Sequence, residues 1–254
     1  MKILITGGAG FIGSNLSKRL VDDGHDVVVL DSLLRGNKLE KETFEKINFI
    51  KGDVRDIDTV VNASKGCDLI FHFAAVLGVD IVADNPVETM DVEVIGTRNI
   101  VHAAEVNNIK KIMYASTSGI YGHSAIESAL TEEVLVDPRT SYAMAKRYNE
   151  IYLASHFEEK GLNVVSLRFF NVYGWNQDNR MVIPLFFEQA LAGNNITVFG
   201  TGKQTRDFTY IDDTVEACVR LMGITGCHIV NIANEAEWCI IDVADRIKEI
   251  TNSN

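Results

Sequence analysis

Six short apolar runs rich in β-branched residues recur in the first 170 positions, and longer segments of mixed polarity separate them. The runs are KILITG, DVVVLD, INFIKGDV, DLIFHFAA, KKIMYAST and NVVSLRFF. They are continuous rather than alternating in polarity, which is typical of strands buried on both faces. Helix-like segments, among them 11–22, 87–107 and 143–160, lie between the runs. This alternation predicts a parallel sheet with right-handed crossovers, the doubly wound α/β class.

The alternation becomes less regular after about residue 171. The pattern predicts polar loops over 171–180 and 200–208, helices over 184–193, 211–222 and 240–250, and strands over 196–200 and 228–234. We therefore expect a large domain over 1–170 and a smaller substrate-binding region over 171–254. The smaller region is expected to pack beside the carboxyl edge of the sheet and to form one wall of a crevice.

The net charge excludes some classes of partner. The chain has 254 residues, of which 46 % are apolar, and a formal net charge of −11. A balance this acidic argues against nucleic acid or an anionic membrane as the main partner. It remains compatible with a phosphorylated small molecule, because backbone N–H groups and one or two arginines suffice to bind one.

Cysteine spacing and the apolar runs indicate the compartment. Cys67, Cys218, Cys227 and Cys239 show neither CxxC nor Cys/His ligand spacing, which indicates buried reduced thiols and no metal site. The apolar run at the N-terminus is too short for a signal peptide, and no run approaches the roughly 20 apolar residues that cross a bilayer. We expect a soluble cytoplasmic protein.

A glycine-rich turn follows the first predicted strand. Residues 6–13 read TGGAGFIG, a GxxGxxG spacing that opens a helix. A turn this tight needs residues without Cβ, so that the backbone can approach a pyrophosphate while the helix N-terminus presents free N–H groups. Placed after strand one of an alternating α/β chain, the motif indicates dinucleotide binding on a Rossmann fold.

Two acidic residues follow the next two predicted strands. Asp31 ends the second strand, where a carboxylate accepts hydrogen bonds from the adenosine ribose hydroxyls and repels a 2′-phosphate. This favours NAD over NADP, although Arg35 nearby would soften the preference. Asp53 is a candidate to bind the adenine amine. The alternative interpretation makes Asp53 a cap of the helix that starts near Asp56.

The stretch SYAMAK at 141–146 places a tyrosine and a lysine on one helix face, because positions i and i+4 share a face. In one reading Tyr142 and Lys146 are surface residues. In the other, Lys146 lowers the pKa of the phenol from about 10, so that Tyr142 accepts a hydroxyl proton near neutral pH. Thr117 or a neighbouring serine, at the carboxyl end of strand five, is placed to bind the reacting oxygen.

Six stretches together carry a family resemblance: TGGAGFIG, HFAA, STSGIYG, SYAMAK, RFFNVYG and TGKQTRDFTYIDD. In these the chain resembles the extended short-chain dehydrogenase/reductase family, and within it the NAD-dependent nucleotide-sugar epimerases and dehydratases, of which UDP-glucose 4-epimerase is a member. The matches run in order from residue 6 to residue 213. The resemblance implies a Rossmann domain, NAD as cofactor and a UDP-sugar as substrate.

The resemblance also implies a role for individual residues. Tyr142 is the acid/base, Lys146 its partner and a ligand of the nicotinamide ribose, and Thr117 the family's Ser/Thr. The implied cofactor contacts are Gly7, Gly10, Phe11, Ile12, Gly13, Asp31, Asp53, Val54, Phe73, Ala74, Ala75, Tyr142 and Lys146. The implied substrate contacts are Thr117, Asn171, Val198, Phe199 and Arg206, with Arg206 on the diphosphate and Val198 and Phe199 at the uracil. Otherwise, Asn171 is a loop cap and Arg206 is an ion-pair partner of Asp207 or Asp212.

The chain departs from the family pattern at three places. Gly119 stands where the 4,6-dehydratases have one residue of an acid pair and where the decarboxylases have a nearby glutamate, so neither chemistry is expected. Glu93 stands where the family usually has asparagine, and Arg98 is its nearest candidate partner in sequence. The chain ends at Asn254, whereas relatives continue with residues that contact the diphosphate and the sugar's 2-substituent. Either the C-terminus is naturally short or the chain is a fragment, and in both cases the sugar is left open.

Three functions are compatible with this pattern. The first is an NAD-dependent epimerase that inverts C4 of a UDP-sugar through a 4-keto intermediate. The second is an NAD(P)-dependent reductase of a keto-sugar nucleotide, and the third is a non-catalytic dinucleotide-binding regulator, since a fold alone never establishes a function. The resemblance implies a homodimer that pairs through helices 87–107 and 143–160, with Val92, Ile95, Ile100, Ile151 and Leu153 as apolar material.

Overall fold

In a computed structural model of the chain, residues 1–76, 83–126 and 130–253 are described. Seven parallel strands form the main sheet in the order β3-β2-β1-β4-β5-β6-β9. Their bounds are β1 Lys2–Thr6, β2 Asp26–Asp31, β3 Asn48–Lys51, β4 Leu69–His72, β5 Lys111–Thr117, β6 Asn163–Phe169 and β9 Cys227–Ile232. The predicted doubly wound sheet is confirmed, and its strand order reverses between β1 and β4. In open α/β sheets, ligands bind at the carboxyl ends of the strands beside such a reversal.

Helices connect and cover these strands. Their bounds are α1 Phe11–Asp22, α2 Lys41–Phe44, α3 Ile57–Ala63, α4 Pro86–Val106, α5 Ser141–Lys160, α6 Val182–Leu191, α7 Ile211–Leu221 and α8 Ile240–Thr251, with a 3₁₀ segment over Ser118–Ile126. Helix α1 has the predicted bounds, and α5 begins two residues before the predicted start. Tyr142 therefore lies in the first turn of α5.

Two apolar layers pack on opposite faces of the sheet. Leu4, Val28, Ile70 and Ile112 lie in the cluster on one face, beneath α3, α4 and α5. Ile3, Val29 and Phe71 belong to the cluster on the other face, beneath α1 and α7. Successive residues of one strand thus point into different layers, which is why the strand sequences are continuously apolar.

A second, three-stranded sheet lies in the region that the sequence assigns to polar loops. Its order is β10-β8-β7, with β7 Asn171–Tyr173, β8 Thr205–Tyr210 and β10 Glu237–Cys239. The loop predictions over 171–180 and 200–208 are wrong at β7 and β8. The predicted strand over 196–200 is also wrong, since this segment forms no strand and instead packs Ile196 and Val198 against a third apolar cluster.

The predicted strand at 228–234 corresponds to β9, which joins the main sheet beside β6. Residues after 170 therefore contribute to both sheets. The division at residue 170 remains a prediction about domains. None of the helices in the described ranges is both long and apolar enough to span a membrane.

Candidate active site

The glycine-rich turn lies between β1 and α1, at the strand reversal. Gly7 has φ +69°, and a Cβ there would lie 2.7 Å from the backbone of Phe73 and Ala74. A Cβ on Gly13 would lie 2.2 Å from the carbonyl oxygen of Gly7. Side chains at these two positions would block the close approach of the turn, the helix and the end of β4.

Helix α1 begins after Gly10 without a side-chain cap. Its first N–H groups therefore remain available to an anion, as phosphate binding at a helix N-terminus requires. Phe11 and Ile12 are half-buried and pack towards the α1 layer of the core. The turn has the shape and the backbone donors that a dinucleotide pyrophosphate needs.

Asp31 ends β2, as predicted, and its carboxylate organises the same turn. Oδ2 accepts a hydrogen bond from Ala9 N at 2.9 Å, and Oδ1 accepts one from Leu33 N at 2.8 Å. Burial raises the pKa of Asp31, while these two backbone donors oppose that rise. A carboxylate has about four acceptor positions, so two backbone bonds leave capacity for the ribose hydroxyls. The preference for NAD over NADP remains a prediction.

Asp53 does not cap the following helix. Asp56 is the residue that caps α3, by accepting hydrogen bonds from Asp58 N and Thr59 N. The Asp53 carboxylate is held by Arg55, whose Nη2 lies 2.6 Å from Asp53 Oδ2. The capping interpretation is therefore wrong, and contact between Asp53 and the adenine remains a prediction.

The chain segments on either side of α3 are anchored through backbone groups. Val54 is buried, and its carbonyl accepts a hydrogen bond from Asn99 Nδ2 at 2.9 Å. Phe73 N donates to the Thr6 carbonyl at 3.0 Å, and Ala74 N donates to Thr6 Oγ1 at 3.2 Å. The start of the segment Phe73–Ala75 is thus fixed beside the glycine turn, while Ala75 itself is half-buried.

A buried polar network fixes the end of β5, where Thr117 lies. Glu150 on α5 accepts from Ser116 Oγ at 2.6 Å and from Arg168 Nε at 2.9 Å. Arg168 Nη1 also donates to the Tyr121 hydroxyl at 2.8 Å. Charge-assisted bonds in a buried setting are strong and directional. They hold α5, β5 and β6 together one residue before Thr117.

Tyr142 and Thr117 meet at this strand end. Thr140 caps α5 by accepting from Ala143 N at 3.1 Å, which sets the first turn of the helix that carries Tyr142. Burial and the negative charge of Glu93 raise the pKa of Tyr142, while a hydrogen bond with the Thr117 side chain lowers it. The net shift of the phenol pKa is upward in the protein without its cofactor, and a lowering of this pKa by Lys146 remains a prediction.

Lys146 is buried, and its ion-pair partner is Glu93, the residue that stands where the family usually has asparagine. Lys146 Nζ lies 2.9 Å from Glu93 Oε2, and the two side chains are 1 % and 0 % exposed. The ammonium also lies 5.4 Å from the centroid of the Tyr142 ring and 4.9 Å from that of Tyr114. The surface reading of SYAMAK is wrong for Lys146, and the partner of Glu93 is Lys146 rather than Arg98.

The predicted substrate residues Asn171 and Arg206 lie on adjacent strands of the small sheet. Asn171 on β7 donates through Nδ2 to the Asp207 carbonyl at 2.9 Å. Arg206 on β8 is exposed and donates to the Thr205 carbonyl at 2.7 Å. No ion pair joins Arg206 to Asp207 or Asp212 in the described part of the chain. The guanidinium therefore retains donors for a diphosphate, and its substrate role remains a prediction.

Val198 and Phe199 differ in their surroundings. Val198 is half-buried and packs against the apolar cluster of α6 and α8, whereas the Phe199 side chain is 77 % exposed. An exposed aromatic ring beside an anchored aliphatic residue is compatible with stacking on a base. Their assignment to a uracil pocket remains a prediction.

Comparison with known proteins agrees with this geometry. A model of the NAD dependent epimerase/dehydratase family matches residues 3–233. The chain belongs to this family. Members of the family are enzymes that use NAD, and the glycine turn described above fits that cofactor. When bound, NAD supplies a reversible acceptor for hydride.

Two relatives of equal identity to the chain have different activities. The UDP-N-acetyl-alpha-D-glucosaminuronate decarboxylase of Bacillus cytotoxicus is 37 % identical, over 100 % of the chain and 81 % of the relative. The UDP-glucose 4-epimerase of Mycolicibacterium smegmatis is also 37 % identical, over 89 % of the chain and 74 % of the relative. Both epimerases and decarboxylases of UDP-sugars are therefore represented at similar identity.

The solved structures show the same fold. The UDP-glucose 4-epimerase of Thermus thermophilus in complex with NAD superposes with a TM-score of 0.91 and 30 % identity, over 100 % of the chain and 84 % of the known structure. This agreement confirms the Rossmann-like fold and NAD as the cofactor.

Proposed function

We propose that the chain is an NAD-dependent epimerase that inverts C4 of a UDP-sugar. The observation that carries the proposal is the set of Thr117, Tyr142 and Lys146 at the end of β5, combined with glycine at position 119. Tyr142 would accept the proton of the C4 hydroxyl as the C4–H hydride leaves, which gives a 4-keto sugar. Turning the keto sugar over and reversing both transfers inverts C4 without net oxidation.

The other residues of the site support this chemistry by position. The Thr117 side chain interacts with the Tyr142 phenol, so a substrate hydroxyl between them would contact both. Asn171 and Arg206 would hold the nucleotide diphosphate on the small sheet. Arginine suits that task because its planar fork binds phosphate oxygens in pairs.

Decarboxylation is the rival activity, since a decarboxylase is among the 37 % identical relatives. The family resemblance implies that decarboxylases have a glutamate near Gly119. In this chain, Gly119 offers only a backbone N–H, which donates to Thr117 Oγ1 at 3.1 Å. The absence of a carboxylate at this position favours epimerisation.

One assay separates the candidate reactions. The purified protein is incubated with individual UDP-hexoses and UDP-hexuronic acids without added reductant, and the nucleotide sugars are then identified. We expect interconversion of a C4 epimer pair and no release of carbon dioxide. Release of carbon dioxide from a uronic acid would contradict the proposal, as would turnover that requires stoichiometric NADH.

We also propose a homodimer that pairs through α4 and α5. Ile100 and Leu153 are completely buried inside the subunit and are unavailable for the seam. Val92 is half-buried against the core, whereas the predicted Ile95 and Ile151 are exposed. Met90, Met144 and Tyr148 on the same two helices are exposed as well. A stripe of this kind on two neighbouring helices is typical of a two-fold interface.

Sedimentation of two variants tests the dimer. The parent is expected to sediment as a dimer, and Ile151→Asp as a monomer, because the Ile151 side chain is 53 % exposed at the proposed seam. Leu191→Asp on α6, where the side chain is 73 % exposed, is the matched control and should leave the dimer intact. Monomeric parent protein at micromolar concentration would refute the proposal.

A further inference from the structure

Glu93 is a completely buried carboxylate that has no role in the proposed reaction. It lies on α4, and its oxygen Oε2 lies 2.9 Å from Lys146 Nζ on α5. Neither carboxylate oxygen receives a hydrogen bond of good geometry from the described residues. The ion pair with Lys146 is therefore the main interaction that offsets the cost of burying this charge, and the Tyr114 side chain also favours the ionised form.

The other groups that face the pair are neutral. His72 on β4 keeps its imidazole uncharged, because burial and the Lys146 charge lower its pKa to about 3. Tyr114 on β5 stays a phenol, because burial and Glu93 raise its pKa well above the usual value. Asn149 on α5 donates to the Glu93 backbone carbonyl and to the Tyr114 hydroxyl. Glu150, also on α5, raises the pKa of Tyr114 but is itself bound to Arg168.

Glu93 therefore acts on the ammonium in two ways. It fixes the position of Nζ at 5.4 Å from the centroid of the Tyr142 ring. It also adds a negative charge beside a positive one, so the phenol experiences a pair with almost no net charge. A neutral side chain at position 93 would leave the whole positive charge of Lys146 facing the phenol, and a nearby cation favours phenolate.

We propose that Glu93 is a positioning residue that acts through Lys146, so that the buried pair, and not the ammonium alone, sets the charge that the Tyr142 hydroxyl experiences. In a chain that works as proposed above, the pair makes Tyr142 a more strongly basic phenolate that forms only at higher pH. The inference rests on the proposed role of Tyr142, but its test does not require turnover.

The test is a titration of tyrosinate absorbance in the NAD-loaded protein. Each variant is measured with Tyr142 and again with Tyr142→Phe, and the difference isolates one phenol among the seven tyrosines. We expect Glu93→Gln to lower the midpoint of Tyr142 by about one pH unit or more, the usual effect of a charge within a few ångströms. Glu93→Asp keeps the charge and should restore most of the parent behaviour.

Glu105→Gln is the matched control, because Glu105 lies on the same helix and pairs with Lys160 at 2.6 Å on the surface. It should leave the Tyr142 midpoint unchanged. If Glu93→Gln fails to fold, Glu93→Asn serves in its place. A Tyr142 midpoint that is unchanged, higher or absent from the accessible range in the folded neutral variant overturns the inference.

The pH dependence of turnover provides a second readout. In Glu93→Gln, the pH at which activity rises should move down with the Tyr142 midpoint. If the chain does not epimerise any UDP-sugar, the proposed function fails while the titration still decides the role of Glu93. If the protein epimerises and the titration shows no change, only the inference about Glu93 fails.

Discussion

Turnover by the Tyr142→Phe protein should fall by about 10²- to 10⁴-fold, because loss of a positioned general acid/base typically has an effect of that size. The substitution removes one hydroxyl and keeps the aromatic ring. The contact between the ring and Lys146 Nζ, 5.4 Å from the centroid, should therefore persist. The helix cap that Thr140 provides is independent of the hydroxyl. Folding and NAD binding should remain close to those of the parent.

The measurement combines the epimerisation rate with NAD binding and thermal unfolding. Tyr148→Phe is the matched control, since Tyr148 lies on the same helix with its side chain 43 % exposed. It should turn over at the parent rate. A folded Tyr142→Phe protein that epimerises as fast as the Tyr148→Phe protein would exclude Tyr142 as the acid/base.

The second large effect is expected in stability. Lys146→Met should lower the free energy of unfolding by about 3 to 5 kcal/mol, the usual result of removing one partner of a buried ion pair. The reason is that Glu93 would remain buried without the ammonium that now lies 2.9 Å away. Replacing both partners, as in Glu93→Leu/Lys146→Met, should recover most of the loss, because no buried charge is left uncompensated.

Lys18→Met provides the comparison at the surface. Lys18 Nζ lies 2.7 Å from Asp22 Oδ2, but both side chains are about half exposed. Exposed i,i+4 pairs contribute about 0.3 to 0.5 kcal/mol, so this variant should unfold almost like the parent. Denaturant titration of the four proteins measures the differences. Equal losses of unfolding free energy for Lys146→Met and Lys18→Met would show that burial does not determine how much the Glu93–Lys146 pair contributes to stability.

The loss in Lys146→Met should also depend on pH. Burial raises the pKa of Glu93, and the Lys146 charge opposes that rise. Without the ammonium, the folded-state pKa lies further above the ordinary value of 4.5. A carboxyl of this kind stabilises the fold below its unfolded pKa and loses that contribution as pH rises through the folded value. The free energy of unfolding of the variant should therefore be closest to that of the parent at acidic pH, and the difference should grow as pH increases.

Burial of whole strands made the main architecture predictable. The runs around Ile3, Val28 and Ile70 are continuously apolar because both faces of the sheet are covered. The roles of Gly7 and Gly13 were also predictable. A Cβ at either position would lie less than 3 Å from neighbouring backbone atoms, so only glycine fits there. Strand burial produces a periodic pattern and the tight turn a local one, so a single sequence is enough to detect both.

The small sheet was not predictable in the same way. Strands β7 and β10 have three residues each and carry polar side chains such as Asn171 and Glu237. Their hydrogen bonds depend on β8, which lies between them in the sheet, and no local sequence pattern predicts that pairing. The apolar segment 196–200 is the opposite case, because its sequence resembles a strand but it forms no strand. Its apolar side chains pack against the third apolar cluster.

Local and periodic patterns along the chain predicted the parallel sheet, the glycine turn at its reversal, and the elements that carry Thr117, Tyr142 and Lys146. The surroundings of those side chains depend on how distant elements pack together. Glu93 and Lys146 lie 53 positions apart in sequence and 2.9 Å apart in space, because α4 and α5 pack side by side over the same face of the sheet. Burial excludes water from the pair, so the charge near Tyr142 depends on side-chain packing between helices, and short-range sequence patterns do not specify that packing.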